Sequence, residues 1–321
     1  MPPITISDVH AARERIRPYL TPTPARRYPT LDAAIGHGIR VVVKHENHNP
    51  TQAFKARNGI SALTALSADA RARGVVAAST GNHGQGLAYA AHLLNARATI
   101  CVPVGNNPDK NAMIRGWGAR LVEDGANYDE AAVTADRLVR DEGLTLVHST
   151  NNRDVIAGAA TMSLEFLEQA PDIDALVLAV GGGSQAVGAI TVSTALKQNV
   201  TVYGVQSTLA PNGHDSWHAR KRLPIGTTRT FADGIATRTT YDLTFDALLT
   251  GLAGFVAVDD DELLAAMRLY WAHAHNLPEG AGAAGLAGLL RLREQLAGKT
   301  VGVVISGSNC DARTAMRALG E

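Results

Sequence analysis

Lys55 is the residue of this chain whose type and setting most suggest covalent chemistry. It follows Phe54 and a polar turn, which itself follows a strand-like run at 40–44, and it opens a helical segment. The positive end of a helix dipole and burial beside an aromatic ring both disfavour a charged ammonium group. A neutral amine can attack a carbonyl and form a Schiff base. Taken alone the setting is weak, because most lysines that follow an aromatic residue lie on the surface.

Three further turns carry small and polar residues directly after strand-like runs. The turn at 79–86 offers hydroxyls and helix-start amides to an anion such as a carboxylate. The turn at 181–185 has the composition of a phosphate nest, but Ala186 stands where the dinucleotide fingerprint requires its last glycine. Ser306 follows an apolar strand, at the edge of a parallel sheet where ligands bind. Each of the two glycine-containing turns, read alone, is equally typical of an ordinary βα connection.

The composition indicates a globular enzyme that acts on a small molecule. The chain has 321 residues, 45% of them hydrophobic, and its 30 basic and 30 acidic side chains cancel. No basic surplus is present to drive binding to nucleic acid or to an anionic membrane. Cys101 and Cys310 lie in or beside apolar runs without a CxxC partner, and we interpret them as reduced core residues. Because the N-terminus is not leader-like and no apolar run approaches roughly 20 residues, we expect a cytoplasmic protein.

Strand-like and helix-like segments alternate along most of the chain and must position these turns. The predicted strands lie at 40–44, 75–78, 99–104, 120–123, 144–148, 175–180, 201–206, 255–258 and 300–305. The predicted helices lie at 85–95, 109–117, 127–142, 154–169, 259–275, 281–297 and 309–319. This alternation predicts an α/β fold with parallel sheets and right-handed crossovers. We expect a small domain at 74–146 and a large discontinuous domain formed by 1–73 and 147–321.

Taken in order, these motifs resemble those of the fold-type-II pyridoxal phosphate enzymes, and within them the serine/threonine dehydratase and serine racemase group. The resemblance runs nearly the full length of the chain. It covers the lysine motif, the two glycine-containing turns, and the segments at 231–236, 278–285 and 306–309. Each motif is loose by itself, but their order is specific. The resemblance implies a two-lobed fold like that of the tryptophan synthase β subunit, with pyridoxal 5′-phosphate as the cofactor.

The resemblance also implies roles for the matching residues. Lys55 would bind the cofactor covalently and later act as a base, Asn82 would meet the 3′-oxygen of the cofactor, and Ser306 its ring nitrogen. The residues implied to hold the cofactor are Phe54, Lys55, Asn82, Gly181, Gly182, Gly183, Ser184, Gln185, Glu279 and Ser306. The residues implied to line the substrate site are Ser79, Thr80, Gly81, Asn82 and His83.

The reaction implied by the resemblance is β-elimination from a β-hydroxy amino acid, which yields a 2-oxo acid and ammonia. L-threonine or L-serine is the expected substrate. A serine hydroxyl at the ring nitrogen, unlike a carboxylate, does not keep that nitrogen protonated, which favours elimination over transamination. The alternatives are a serine or aspartate racemase, a hydroxyaspartate dehydratase, a replacement synthase, and an amino-acid sensor without activity. The family also implies a homodimer.

Departures from the family pattern limit the substrate assignment. Thr80 stands where racemases of the group carry a serine that acts as a second base, so elimination is favoured, although Thr80 keeps a hydroxyl. Ala53 replaces a small hydroxyl residue before Phe54, and Ser184 replaces the fourth glycine of the phosphate loop. Members of the group that bind a divalent cation place acidic ligands where this chain has amides. We therefore predict no metal site and little or no dependence on Mg²⁺ or Ca²⁺.

Three remaining features are interpreted without a catalytic role. His214 and His218 are four residues apart and could share a helix face, but no HExxH glutamate accompanies them, and zinc is not favoured. The acidic run at 259–262 is typical of a helix N-terminus. The residues after Asn309 are too few for the regulatory domain of biosynthetic threonine dehydratases, so feedback control is not expected.

Overall fold

The computed structural model of the protein describes residues 2–196 and 199–320, which form helices and two sheets. The strands of this part are β1 (Ala25–Arg27), β2 (Arg40–His45), β3 (Val75–Ala78), β4 (Ala98–Val102), β5 (Arg120–Glu123), β6 (Thr145–Leu146), β7 (Ala175–Ala179), β8 (Thr201–Ser207), β9 (Gly254–Val258) and β10 (Thr300–Ile305). The helices are α1 (Ile6–Ile16), α2 (Pro29–Ile35), α3 (Lys55–Ala65), α4 (Ala68–Arg73), α5 (Asn82–Leu93), α6 (Pro108–Gly116), α7 (Tyr128–Glu142), α8 (Arg153–Gln169), α9 (Ser184–Ala195), α10 (Asn212–His218), α11 (Phe245–Gly251), α12 (Asp260–Ala274), α13 (Gly280–Leu292) and α14 (Ala312–Leu319).

The larger sheet has six strands in the order β1-β2-β10-β7-β8-β9, and only the pairing of β1 with β2 is antiparallel. Its central strands β2, β10, β7 and β8 are buried on both faces. Val41 and Val43 belong to the core cluster that includes α12 and α13, whereas Val42 belongs to the cluster that includes α8 and α9. Since successive side chains of a strand point to opposite faces, this division shows helices covering both sides of the sheet.

The smaller sheet has four parallel strands in the order β5-β4-β3-β6. All four lie between Val75 and Leu146, and the strands of the larger sheet lie before and after that segment. The domain boundaries at residues 73/74 and 146/147 remain a prediction. The predicted α/β class with parallel sheets is confirmed.

Several predicted element ends were wrong, each for a local reason. The strand predicted at 99–104 ends at Val102 because Pro103 has no N–H for the ladder. The strand predicted at 144–148 is reduced to two residues, since the chain turns where the His148 ring accepts hydrogen bonds from the N–H groups of the residues two and three positions later. The helix predicted from 309 begins at Ala312, because the Asp311 carboxylate caps it. The sequence analysis did not predict β1, α1, α2, α4 and α11.

The two cysteines differ in burial. Cys101 lies in the core, as predicted, but Cys310 is only half-buried, and its prediction as a core residue was wrong. Cys310 follows the turn after β10, where the chain has left the sheet. Among the residues that the structure describes, none of the helices combines the length and the apolar character needed to cross a membrane.

Candidate active site

Lys55 is the first residue of α3 and projects its amine into a cavity between the two sheets. Its Nζ atom lies 4.8 Å from the centre of the Phe54 ring, and no carboxylate within the described residues pairs with it. Burial lowers the pKa of the Lys55 amine to about 8. At pH 7 about a tenth of such amines are neutral, roughly two- to three-hundredfold more than for an ordinary lysine. Lys55 opens a helix, as predicted.

A buried ion-pair network holds the first turn of α3 in place. The Arg57 guanidinium donates to both carboxylate oxygens of Glu46, at 2.8 and 2.9 Å, and to Glu165 at 2.9 Å. Arg57 and Glu46 are fully or almost fully buried, so neither charge could remain there without the other. Because Arg57 is two residues after Lys55, the network fixes the backbone from which Lys55 projects.

The glycine turn after β7 can only be built from glycines. A Cβ atom on Gly181 would lie 2.2 Å from the Gly234 carbonyl oxygen, and one on Gly182 would lie 1.8 Å from Thr150 Oγ1. Gly183 has a φ of +97°, a backbone conformation that side-chain-bearing residues rarely adopt. The turn leads into the N-terminus of α9 at Ser184, whose free N–H groups favour an anion.

Threonine hydroxyls tie this glycine turn to the loop that precedes α11. Thr244 Oγ1 donates to the Gly182 carbonyl at 2.7 Å, and Thr237 Oγ1 lies 3.4 Å from the Gly181 carbonyl. Because the two threonine hydroxyls occupy the carbonyls of the turn, its N–H groups remain available to a ligand. Gln185 adds a buried Nε2 donor that has no hydrogen-bond partner within the described residues.

The turn at 79–83 brings a second helix N-terminus, that of α5, to the same cavity. Ser79 Oγ accepts hydrogen bonds from the N–H groups of Gly84 at 2.9 Å and Gly81 at 3.2 Å, so this hydroxyl shapes the turn itself. The His83 ring donates through Nε2 to the Val147 carbonyl at 2.9 Å. Burial, together with the nearby Lys55 amine, lowers the pKa of His83 to about 3, and the ring is neutral.

Asn82, Glu279 and Ser306 meet on one wall of the cavity. The Asn82 amide donates through Nδ2 to Glu279 Oε1. Burial raises the pKa of Glu279, although the neighbouring Lys110 and Asn82 oppose the shift. Ser306 is buried at the carboxyl end of β10, and its own carbonyl accepts from the Phe54 N–H at 3.0 Å. This bond ties the strand that carries Ser306 to the turn that carries Lys55.

The cavity has a volume of about 630 Å³ and brings together every residue that the sequence analysis assigned to a site. Residues from four separate turns therefore share one cleft, at the carboxyl ends of parallel strands. The predicted residues that line it are Phe54, Lys55, Ser79, Thr80, Gly81, Asn82, His83, Gly181, Gly182, Gly183, Ser184, Gln185, Glu279 and Ser306.

Other lining residues were not predicted. Two ion pairs cross the mouth of the cavity between the segments of the two sheets: Lys110 Nζ to Asp233 Oδ2 at 2.7 Å, and Arg238 Nη1 to Asp129 Oδ2 at 2.5 Å. Of these four residues, only Asp233 lies in a segment that the sequence analysis singled out. The others follow no strand directly and carry no motif.

One side of the cavity is lined by Tyr128, Tyr241 and Arg229. Burial raises the pKa of both tyrosines, so both phenols are neutral donors at physiological pH. No carboxylate within the described residues pairs with the exposed Arg229 guanidinium. The sequence analysis gave none of these three residues a role.

The amides at the predicted positions of the divalent-cation ligands take part in ordinary hydrogen bonds. Gln206 Nε2 donates to Thr237 Oγ1 at 3.1 Å, and Asn212 Nδ2 donates to the Pro224 carbonyl at 2.7 Å. His214 and His218 do share one side of α10, with ring centres 4.4 Å apart. Each ring has its own partner, the Asp215 carboxylate and the Phe255 carbonyl.

The cavity fits a phosphorylated aldehyde such as pyridoxal phosphate. The glycine turn, the N-terminus of α9 and the Gln185 amide, which has no hydrogen-bond partner within the described residues, form a cradle for a phosphate. The Lys55 amine has a lowered pKa that suits attack on an aldehyde.

Comparisons with known proteins agree with this chemistry. The family model described as pyridoxal-phosphate dependent enzyme matches residues 16–307. An L-threo-3-hydroxyaspartate ammonia-lyase from a Pseudomonas species is 35% identical over 310 residues, 95% of this chain and 95% of the relative. An L-threonine ammonia-lyase from Thermotoga maritima is 34% identical over 318 residues, 99% of this chain and 79% of the relative.

Solved structures show the same architecture. Maize serine racemase superposes with a TM-score of 0.93 at 28% identity, covering 98% of this chain and 96% of that one. Threonine deaminase isoform 2 from Solanum lycopersicum superposes with a TM-score of 0.92 at 28% identity, covering 97% and 85% of the two chains.

Proposed function

Since the chain belongs to the family of pyridoxal-phosphate dependent enzymes, we propose that it eliminates water from a β-hydroxy amino acid and releases a 2-oxo acid and ammonia. L-threonine and L-serine are the first substrates to test. The observation that carries this proposal is the Lys55 amine, which lies in the cavity among residues that match the family motifs and has no carboxylate partner within the part of the chain that the structure describes. The relatives named as ammonia-lyases, which match the chain over almost its whole length, support the same reaction class.

Binding would be divided between the two helix N-termini of the cavity. The turn at 181–185 and the first N–H groups of α9 would hold the phosphate of the cofactor. When bound, pyridoxal phosphate supplies an aldehyde for covalent attachment and a conjugated ring that withdraws electrons from the substrate Cα atom. Thr80 and the N–H groups at the start of α5 would hold the substrate carboxylate. His83 is neutral and adds no positive charge there, so these hydrogen-bond donors would carry the binding.

Lys55 is the proposed base that removes the proton from Cα. Its lowered pKa keeps a usable fraction of the amine neutral near pH 8, which matches the requirement for a general base. Ser306 offers a neutral hydroxyl to the cofactor ring and no carboxylate. A weaker electron sink favours expulsion of the β-hydroxyl group over transamination.

A second substrate class, the 3-hydroxyaspartates, has support from one specific observation. Arg229 lines the cavity without a carboxylate partner among the described residues, and a second substrate carboxylate would supply one. The Pseudomonas relative is named for this substrate class. Racemase activity is the further alternative, supported by the likeness to maize serine racemase and by the hydroxyl that Thr80 retains.

We also propose that the protein works as a homodimer in the cytoplasm, with a small domain at 74–146 and a large discontinuous domain formed by 1–73 and 147–321. The family resemblance supports the dimer, and the division of the strands between the two sheets supports the two domains. Light scattering on the holoenzyme gives the mass that tests the dimer.

The deciding experiment is an elimination assay on purified enzyme with pyridoxal phosphate. L-serine, D-serine, L-threonine and the 3-hydroxyaspartates are compared by 2-oxo acid release and by the chirality of the remaining amino acid. Release of a 2-oxo acid from one of them supports the lyase and identifies its substrate. Bound cofactor without any 2-oxo acid overturns it, and inversion of the amino acid under those conditions identifies a racemase.

A further inference from the structure

Asn82 faces the cavity with a planar amide whose two ends have opposite hydrogen-bonding character. Its nitrogen can only donate and its oxygen can only accept, and the two ends have nearly the same size. A rotation of this amide by 180° would therefore exchange a donor for an acceptor on the cavity wall. Neighbouring groups must therefore fix which of the two orientations the Asn82 amide adopts.

A chain of hydrogen bonds that begins at a backbone carbonyl fixes the orientation of the Asn82 amide. The Thr51 carbonyl, which can only accept, lies 3.0 Å from Asn309 Nδ2 and so requires the nitrogen of the Asn309 amide at that position. The same nitrogen donates to Asn82 Oδ1 at 2.7 Å. The oxygen of Asn82 is thereby held towards Asn309, and its nitrogen is left facing Glu279 and the cavity.

The Glu279 carboxyl group at the far end agrees with the same orientation, because its Oε1 atom accepts from Asn82 Nδ2. The backbone around Asn309 is itself fixed. Ser308 N–H donates to the Gln52 carbonyl at 2.9 Å, which holds the turn after β10 against the turn before Lys55. Asn309 thus connects three segments of the cavity wall that are far apart in the sequence.

We propose that Asn309 is a positioning residue that locks the Asn82 amide so that it presents an N–H donor, and not a carbonyl, to the bound cofactor. The inference rests on the proposed function, in which Asn82 contacts an oxygen of pyridoxal phosphate. Asn309 itself does not line the cavity and acts only through Asn82.

The test uses the full-length enzyme, stripped of cofactor and titrated with pyridoxal phosphate. Asn309→Ala removes both hydrogen bonds, and we expect the Kd of the cofactor to rise about three- to tenfold, as for the loss of one net hydrogen bond. Asn309→Asp places an acceptor against the Asn82 and Thr51 oxygens. It should raise Kd further and shift the visible absorption maximum of the bound cofactor, since Asn82 then turns its oxygen to the cavity.

The chain offers a matched control in a second pair of asparagines. Asn47 Nδ2 donates to Asn276 Oδ1 at 2.9 Å, and neither residue lines the cavity. Asn276→Ala should lower the thermal unfolding midpoint of the apoenzyme about as much as Asn309→Ala does. It should leave the cofactor Kd and absorption spectrum of the wild type unchanged.

A double-mutant cycle separates positioning through Asn82 from a general structural effect. If Asn309 acts through Asn82, then Asn309→Ala should add less than about twofold to Kd in an Asn82→Ala background. Fully additive losses, or a wild-type spectrum and Kd in a folded Asn309→Asp enzyme, overturn the inference while the lyase proposal stands. Failure of the wild-type apoenzyme to bind pyridoxal phosphate overturns both.

Discussion

Lys44, which is fully buried, and Lys55, which lies in the cavity, are eleven positions apart in this chain, and their surroundings give them opposite properties. Lys44 Nζ lies in the core beneath α3 and contacts Glu165 Oε1 at 2.5 Å, the Thr23 carbonyl at 2.7 Å and Gln169 Oε1 at 2.8 Å. Lys55 Nζ lies in the cavity against the Phe54 ring and has no such partners within the described residues.

The difference shows how neighbours decide the use of a buried amine. Burial lowers the pKa of both lysines, but at Lys44 the Glu46 and Glu165 carboxylates oppose that shift, whereas burial acts alone at Lys55. Lys44 remains a charged structural ion within a network of two cations and two anions. Lys55 is left with a reactive amine, and the stable network beside it holds the helix from which it projects.

The largest expected effect comes from the unpaired lysine. Lys55→Ala should lower kcat by at least about 10⁴-fold, because it removes both the covalent attachment and the base. The apoenzyme should remain folded, since a buried cation without a carboxylate partner contributes no stabilising ion pair. Single-turnover assays and circular dichroism measure the two quantities. Turnover at the wild-type rate in the variant would remove Lys55 from the mechanism.

The paired lysine should respond in the opposite way. Lys44→Met leaves Glu165 and Glu46 with Arg57 alone, and we expect a loss of about 3–5 kcal/mol in the free energy of unfolding. Urea titration of the apoenzyme measures this loss. Adding Glu165→Gln should recover at least about 1 kcal/mol, because it removes the carboxylate left without its lysine. Equal stability of Lys44→Met and wild type would contradict a structural role for the pair.

The pH dependence of the free energy of unfolding should distinguish Lys55 from Lys44, with a smaller expected effect. The folded pKa of Lys55, about 8, is below its unfolded value near 10.5, so between these pH values the unfolded chain binds the extra proton. The free energy of unfolding is therefore higher above pH 10.5, and the part of it that depends on Lys55 is lost as the pH falls through about 8. With allowance for water in the cavity, Lys55→Met should gain about 1–2 kcal/mol over wild type at pH 7 and little at pH 10. A difference independent of pH would contradict the lowered pKa.

The smallest expected effect concerns the hydrogen bond that supports the glycine turn from outside the cavity. Thr244→Val removes the hydrogen bond to the Gly182 carbonyl and should raise the Kd of pyridoxal phosphate about fivefold, equivalent to about 1 kcal/mol. Thr250→Val is the matched control, because its hydroxyl donates to the Asp246 carbonyl on the exposed side of α11. Equal Kd values for the two variants would show that the hydroxyl of Thr244 does not shape the phosphate cradle.

Most parts of the site that the sequence predicted lie after strands. The turn at 79–83, the glycine turn and Ser306 follow a strand directly, and Lys55 follows β2 through the turn at 46–54. The carboxyl ends of parallel strands meet at one edge of a sheet. Glu279, which lies between α12 and α13, was predicted from its motif. Local pattern is enough to place such residues. Tyr128, Tyr241, Arg229 and the pair of Lys110 with Asp233 reach the cavity from loops and helix starts, and no local pattern marks them.

The amino-acid sequence by itself determined the fold class, the reaction family and the residues at the strand ends, because hydrophobic periodicity and short motifs are local properties. Tertiary structure alone decided which lysine is paired, since the partners Glu165 and Gln169 are more than 120 positions from Lys44. It likewise decided the orientation of Asn82, which depends on Asn309 and, through it, on Thr51. Charge state and donor direction depend on neighbours brought together by folding, and the order of residues along the chain does not contain them.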